Sequence, residues 1–198
     1  MMQKLVLATS NQGKLAELRP LLADVGYELV TQGELGVDDA VEDGLSFVEN
    51  ALIKARHASR ATGLPALADD SGLVVPALGG APGLYSARYA GEHGNHAANI
   101  AKLLGQLAGR PAPDRRAHFY CVLVIVRHPD DPQPLIAEGS WEGSLLEAPR
   151  GNGGFGYDPV FLSPEHGCSA AELAPAEKHR LSHRGRAIAR LRERLHEL

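Results

Sequence analysis

The chain has 198 residues, 44% of them hydrophobic and 22% charged, with a formal net charge of −4. A single domain of that length buries about 70% of the surface its unfolded form exposes, and the composition is close to ordinary globular usage, which favours none of the disordered, fibrous and membrane classes. An acidic chain has no general attraction for nucleic acid or anionic lipid, so a polyanionic ligand must meet a local basic site.

The opening stretch "MMQKLVLATSNQGK" is too short and too interrupted by polar residues for a secretory leader, and no apolar run approaches the ~18 residues of a membrane span, so a cytoplasmic protein is expected. Within it "KLVLA" (4–8) reads as a short strand, the polar turn "TSNQGK" follows, and leucines at 15, 18, 21 and 22 mark a helix that Pro20 either kinks or delays. "SFVENALIKARHASRATGLP" predicts a helix at about 47–62. Ser46 and Glu49 form a capping box there, and Gly63 with Pro65 supply the stop. "NHAANIAKLLGQLAG" repeats that grammar, with Asn95 as cap, Ile100, Leu103, Leu104 and Leu107 as stripe and Gly109 at the end. "AHFYCVLVIVRH" and "PLIAEGSWEGSLL", separated by "PDDPQ", predict an antiparallel pair of central strands. From "HRGRAIARLRER" (183–194) to the last residue, Ile188, Leu191, Leu195 and Leu198 recur at helical spacing, which leaves the arginines largely on a solvated face. Helices alternate with strands early and hairpin strands come late, so the class is α/β with a mixed sheet. No repeat, low-complexity tract or linker interrupts it. Cys121 and Cys168 are far apart and lack CxxC spacing, so both are expected as reduced thiols rather than a disulfide or a zinc site.

Four stretches could carry chemistry. "TSNQGK" sits where a strand hands over to a helix, where backbone N–H groups and a lysine can hold phosphate, but it lacks the GxxxxGK[ST] pattern and is also ordinary turn chemistry. "ALADDSGLVV" places Asp69 and Asp70 side by side at the end of a buried strand, where their side chains point to opposite faces. They either begin a turn ahead of Gly72 or put one carboxylate on a divalent cation or a water. Glu42, just ahead of the helix that bears Lys54, is an additional acid for that purpose. In "NGGFGYDPVF" glycines surround Phe155, so backbone can approach a ligand while the ring offers a stacking face; a glycine-rich turn with a core phenylalanine fits equally. "SHRG" puts His183 and Arg184 at the first turn of the last helix. His179 and His183 have the spacing of a metal pair, but no third soft ligand accompanies them, so zinc is rejected.

Taken in order and spacing, "ATSNQGK", "DGLSFVENALIKA", "ALADDSGL", "GGAPGLYSARYAG", "GGFGYDPVF" and "LSHRG" resemble the inosine triphosphate pyrophosphatase family, over residues 4 to 190. Members of that family hydrolyse non-canonical purine nucleoside triphosphates such as ITP, dITP and XTP to the monophosphate and pyrophosphate. The resemblance implies a dimeric cytosolic enzyme with a long mixed sheet flanked by helices, and two lobes with a nucleotide cleft between them. By that similarity Asp70 is the catalytic proton acceptor beside Mg²⁺, with Asp69 and Glu42 supporting the metal. Thr9, Ser10, Asn11, Gln12, Gly13, Lys14, Lys54, Ser71, Phe155, Gly156, Tyr157, Asp158, Lys178, His183 and Arg184 match its substrate-binding positions. Val41 stands where relatives often carry a second acid, and Asp43 where threonine is common.

On charge, Lys14, Lys54, Lys178 and Mg²⁺ would counter the polyphosphate so that water can attack the α-phosphorus. Arg184, a pure donor, would suit a 6-oxo purine rather than adenine, with Phe155 stacking on the base. Two other readings remain: a Maf-type pyrophosphatase acting on other triphosphates, and a nucleotide sensor without turnover.

Overall fold

The computed structural model describes residues 3–197. In chain order the elements are β1 (Gln3–Leu7), α1 (Gln12–Leu21), β2 (Tyr27–Thr31), α2 (Phe47–Thr62), β3 (Ala66–Val74), α3 (His96–Gln106), β4 (Arg116–Val126), β5 (Leu135–Leu145), β6 (Phe161–Ser163), β7 (Cys168–Ser169), α4 (Pro175–Leu181) and α5 (His183–Arg194). The strands form one seven-stranded sheet in the order β2-β1-β3-β4-β5-β6-β7. β1 pairs in parallel with β2 and with β3, while β5 with β6 and β6 with β7 are antiparallel, so the sheet is mixed as expected. No helix among the described residues is long and apolar enough to cross a membrane.

By its contacts the chain divides into two compact units. The first takes residues up to Asp70, Cys121–Gly139 and His183 onward; the second takes Ser71–Tyr120 and Ser140–Ser182. In the first unit, Leu5, Leu7, Leu67, Cys121, Leu123, Ile125, Leu135 and Ala137 make one strand face, packed with Leu15 and Leu18 of α1, its C-cap Leu22, and Ile188 and Leu191 of α5. The alternate residues Val6, Ala66, Ala68, Val122 and Val124 are buried as well, as are Ala51, Ala55 and Ala58 of α2. Burial on both faces is what near-continuous apolar strands signal. The second unit has its own core, in which Phe119, Trp141 and Phe161 pack as an aromatic cluster with Leu73, Ile100, Leu103 and Leu181.

The helix at 47–62 forms with the predicted bounds; Ser46 accepts from Glu49 N, and Gly63 ends it in the left-handed region at φ 70°. Pro20 lies inside the last turn of α1, where its missing N–H and ring disturb little before the helix ends. α3 stops at Gln106 with Leu107 as its C-cap, three residues before the expected Gly109. The turn reading of Asp69 and Asp70 is overturned, because β3 runs through both and on to Val74. The arginines of α5 are not merely solvated. Arg190 and Arg194 donate to the carbonyls of Glu138 and Ile136 near the start of β5, and Arg192 makes a two-pronged pair with Asp24 at 2.6 and 2.8 Å. Gly139 of β5 is required by that packing: a Cβ there would fall 2.0 Å from the His183 carbonyl oxygen.

The turn joining β4 to β5 is closed by Asp131, which is buried and accepts from Arg127 N, Arg127 Nε, Arg127 Nη2 and Gln133 N. These bonds, led by the Arg127 guanidinium, hold its carboxyl well below the usual carboxylate range. A depressed carboxyl adds stability above its ordinary value of 3.8, and that stability is lost as pH falls towards the folded value. Asp131→Ala is expected to lower stability at pH 7 by about 2–3 kcal/mol, a thermal midpoint shift of roughly 4–12 °C. The gap should narrow as the pH is taken below 3.8, and paired thermal melts check both.

Candidate active site

Adjacent residues of a strand face opposite ways, and β3 uses this to split its two acids. Asp69 shares the face of Leu67, towards α1 and α5; Asp70 shares the face of Ala66 and Ala68 and meets α2.

Asp69 is fully buried and surrounded by cations. Its Oδ1 lies 2.6 Å from Lys14 Nζ and its Oδ2 accepts from Arg184 Nε at 2.7 Å, while the Cys121 thiol donates to Oδ2 at 3.2 Å. Burial pushes the carboxyl up, but Arg184 and Lys14 outweigh it and hold Asp69 well below the ordinary range. Burial also pushes the Cys121 thiol well up, and the Asp69 charge adds to this, so it stays a thiol and donates. Arg184 is 1% exposed, and its Nη1 is given to Glu17 of α1, another buried carboxylate. Two sequence expectations fall on this cluster. Here the Asp69 oxygens are taken by two cations and a thiol. Arg184 is enclosed with its Nε, Nη1 and Nη2 on carboxylates. His183, beside it, is buried too, and its backbone is what packs on Gly139.

On the other face Asp70 is 6% exposed and its Oδ1 accepts from Lys54 Nζ at 2.9 Å. Lys54 also reaches Glu42 at 3.2 Å. Burial raises the Asp70 carboxyl, Lys54 and Lys14 pull it back, and burial prevails, so it lies above its ordinary value. For Lys54, burial lowers and the Asp70 and Glu42 charges raise; the charges win. One ammonium thus bridges two carboxylates. Val41 is 80% exposed beside Glu42, so replacing an acid with valine at that position leaves the Lys54 contacts untouched.

The residues expected from the sequence to hold phosphate precede and open α1. Thr9 Oγ1 accepts from Asn11 N, Asn11 caps the helix by accepting from Lys14 N, and Gln12 donates to the Ser10 carbonyl. Gly13 follows in the first turn, and Ser10 Oγ donates to Asp39 at 2.6 Å. Asp39 also takes Gln32, so it pins the segment before α2 against this loop.

The second unit holds a separate set. Asp158 Oδ2 accepts from Phe155 N at 2.8 Å and from Lys178 Nζ at 2.5 Å, and Lys178 Nζ lies 5.1 Å from the centre of the Phe155 ring. Gly154 makes room: at φ 68°, a Cβ would stand 2.0 Å from Asp158 Oδ2. Phe155 and Gly156 are half-buried, and Tyr157 donates to the Ser86 carbonyl at 2.8 Å. Lys178 therefore sits with an aromatic ring and its own acid, whereas Lys14 and Lys54 serve the β3 acids. Ser71 follows Asp70 on β3 and is half-buried.

The sequence pattern that defines the Ham1 family matches residues 5–194. The chain belongs to the Ham1 family. Its Ham1 relatives include the dITP/XTP pyrophosphatase of Xanthomonas campestris, 66% identical over 197 residues, covering 100% of this chain and 99% of that one. The dITP/XTP pyrophosphatase of Vibrio cholerae is 54% identical over 196 residues, with 99% and 98% covered. Among solved structures, a HAM1 protein from Coxiella burnetii superposes with a TM-score of 0.92 at 50% identity over the whole of both chains. The nucleoside-triphosphatase, dITP/XTP pyrophosphatase of Mycobacterium abscessus does so with 0.77 at 46%, covering 96% and 98%. The family resemblance carried by the motifs is thus borne out.

In this Ham1 family member, no group of three or more His, Cys, Asp or Glu is arranged for a metal among the described residues. Two carboxylates remain as candidates, Asp70 and Glu42, joined by Lys54. They are hard oxygen donors, and a small divalent cation is commonly held by one or two carboxylates with substrate phosphates and water, so the pair fits such an ion. Glu17 and Asp39 are the acids that sequence reading missed. The signal for Glu17 was a charged residue between Leu15 and Leu18 on the apolar side of α1.

Proposed function

We propose that this chain hydrolyses non-canonical purine nucleoside triphosphates, such as dITP, ITP and XTP, to the monophosphate and pyrophosphate. The names of its relatives support that reaction and substrate class. The observation that carries the reading is the environment of Asp70: a buried carboxylate kept in its charged form by Lys54, with Glu42 on the same ammonium.

A nucleoside triphosphate brings about four negative charges, which must be countered before a nucleophile can approach in surroundings poor in water. Lys14, at the head of α1, and the loop Thr9–Gly13 bind the phosphate chain, the lysine through charge and the loop through N–H and side-chain donors. Lys54 contributes a further positive charge and holds Asp70 in place. Asp70 accepts a proton from the attacking water, a role for which a carboxylate with a raised pKa is the better base. Asp70 and Glu42 would hold Mg²⁺, which when bound adds positive charge at the phosphates and increases the acidity of water. Phe155 stacks on the purine. Lys178, fixed above that ring by Asp158, donates to a 6-oxo acceptor and finds no acceptor on the 6-amino group of adenine.

The test is a product assay. The protein is incubated with Mg²⁺ and, separately, dITP, XTP, dATP and a pyrimidine triphosphate, and pyrophosphate and orthophosphate are measured. Pyrophosphate with monophosphate from dITP and XTP, well above that from dATP, is the expected result. Orthophosphate release, a preference for the pyrimidine, or binding without turnover would each overturn it.

A further inference from the structure

We infer that Glu17 is a positioning residue, acting through Arg184 and Asp69 to fix the ammonium of Lys14. The inference rests on the reading that Lys14 binds phosphate, and it adds a residue that neither the motifs nor the chemistry of the reaction points to.

Four charged side chains form a closed circuit. Glu17 takes Arg184 Nη1; Arg184 gives Nε to Asp69 Oδ2 at 2.7 Å and Nη2 to Oδ1 at 3.4 Å; Asp69 Oδ1 holds Lys14 Nζ at 2.6 Å. The two ends of the circuit, Lys14 and Glu17, lie three residues apart on α1 and therefore on one side of that helix. Lys14 Nζ makes a second bond, to the Asp69 carbonyl at 3.3 Å. The ammonium is therefore held by the strand residue just before Asp70, at a point set by how Asp69 divides its oxygens.

That division depends on Glu17. Arg184 grips Asp69 with its Nε–Nη2 edge, tightly at Oδ2 and loosely at Oδ1, where Lys14 is the nearer partner. Glu17, on Nη1, fixes the tilt of that grip. Removing the Glu17 charge frees the guanidinium to even out the grip and draw Oδ1 away from Lys14. The ammonium then loses its fixed position, and holding it in place becomes a cost met during the reaction. Glu17 is 6% exposed, and a carboxylate in that setting is costly to desolvate, so an apolar side chain would serve packing alone at less cost.

A double-mutant cycle on kcat/KM for dITP separates this role from a structural one, with thermal midpoints and active-site concentration measured for each protein. Glu17→Gln keeps the shape and removes the charge; it is expected to lower kcat/KM about tenfold, and Lys14→Met by more. In the Lys14→Met background, Glu17→Gln should cost less than about twofold, because the side chain it positions is gone. If the two losses multiply, Glu17 acts independently of Lys14 and the inference fails while the phosphate role of Lys14 stands. If Lys14→Met leaves kcat/KM unchanged, the phosphate role itself fails and the inference falls with it. Should Glu17→Gln not fold, Glu17→Asp, which keeps the charge but withdraws it by one methylene, takes its place in the cycle. The same collapse onto Lys14→Met is then expected from a smaller single loss, and multiplying losses again overturn it.

Discussion

Purified Asp70→Asn is expected to bind a nucleoside triphosphate nearly as the parent protein does and to lose at least 10²- to 10⁴-fold in kcat, the contribution usual for a positioned base. The substitution is close to isosteric, and its amide oxygen can still accept from Lys54, which keeps Glu42 as a charged partner at 3.2 Å. The fold should therefore survive, with a thermal midpoint within a few degrees. What disappears is the negative charge, and with it the ability to take a proton from water and to serve as a strong oxygen ligand for Mg²⁺. Lys14 and Lys54 remain, so affinity for a non-hydrolysable triphosphate analogue should change by less than about tenfold. The deciding measurement is single-turnover pyrophosphate release under saturating substrate, beside the analogue Kd. Near-normal turnover in a folded Asp70→Asn protein would falsify the base assignment.

The parts of this molecule legible in the sequence are those determined by neighbours along the chain. The bounds of α2 follow from a capping box and a stop glycine, both local devices. Both long strands, β4 and β5, announce themselves through eleven-residue runs rich in apolar side chains. β2, β6 and β7 were not legible: β2 is only five residues with a half-buried pattern, and β6 and β7 have three and two residues, too few for any period to show. At the site, the motifs put Asp70, Glu42 and Lys54 in one constellation, but the ion pair of Asp70 with Lys54 across 16 positions is seen only in the fold. Nor was the fate of Asp69 legible. Its partner Arg184 lies 115 residues away and, read from sequence, looks like a donor for a ligand rather than for the interior. Period two told which way each acid would point, but not which of them would find the open side. That depends on α1 and α5 covering one face of the strand with leucines and closing over Asp69, while α2 offers small alanines and a lysine on the other.

Arg184→Met is the second substitution with a large expected effect, and its effect is on stability. Methionine fills comparable volume but leaves Asp69 and Glu17 buried without the cation they share, and breaking a buried pair from one side typically costs about 3–5 kcal/mol. For a chain of this size that is a drop of roughly 6–20 °C in thermal midpoint. The pH dependence distinguishes the cause from lost packing. In the parent protein Asp69 is held below its ordinary 3.8, so its contribution is fully present above that value and is lost as pH falls through the folded pKa. In Arg184→Met, burial, the largest influence on Asp69, is no longer outweighed by the guanidinium, and the folded pKa moves upward. Once above 3.8, the folded state of the variant takes up a proton more readily than the unfolded chain, so the variant gains stability on acidification where the parent loses it. The deficit should therefore be largest near pH 7 and shrink steadily towards pH 4, as read by denaturant unfolding of both proteins across that range. A deficit independent of pH would mean that Arg184 serves by its bulk and that Asp69 draws its stabilisation from Lys14 alone.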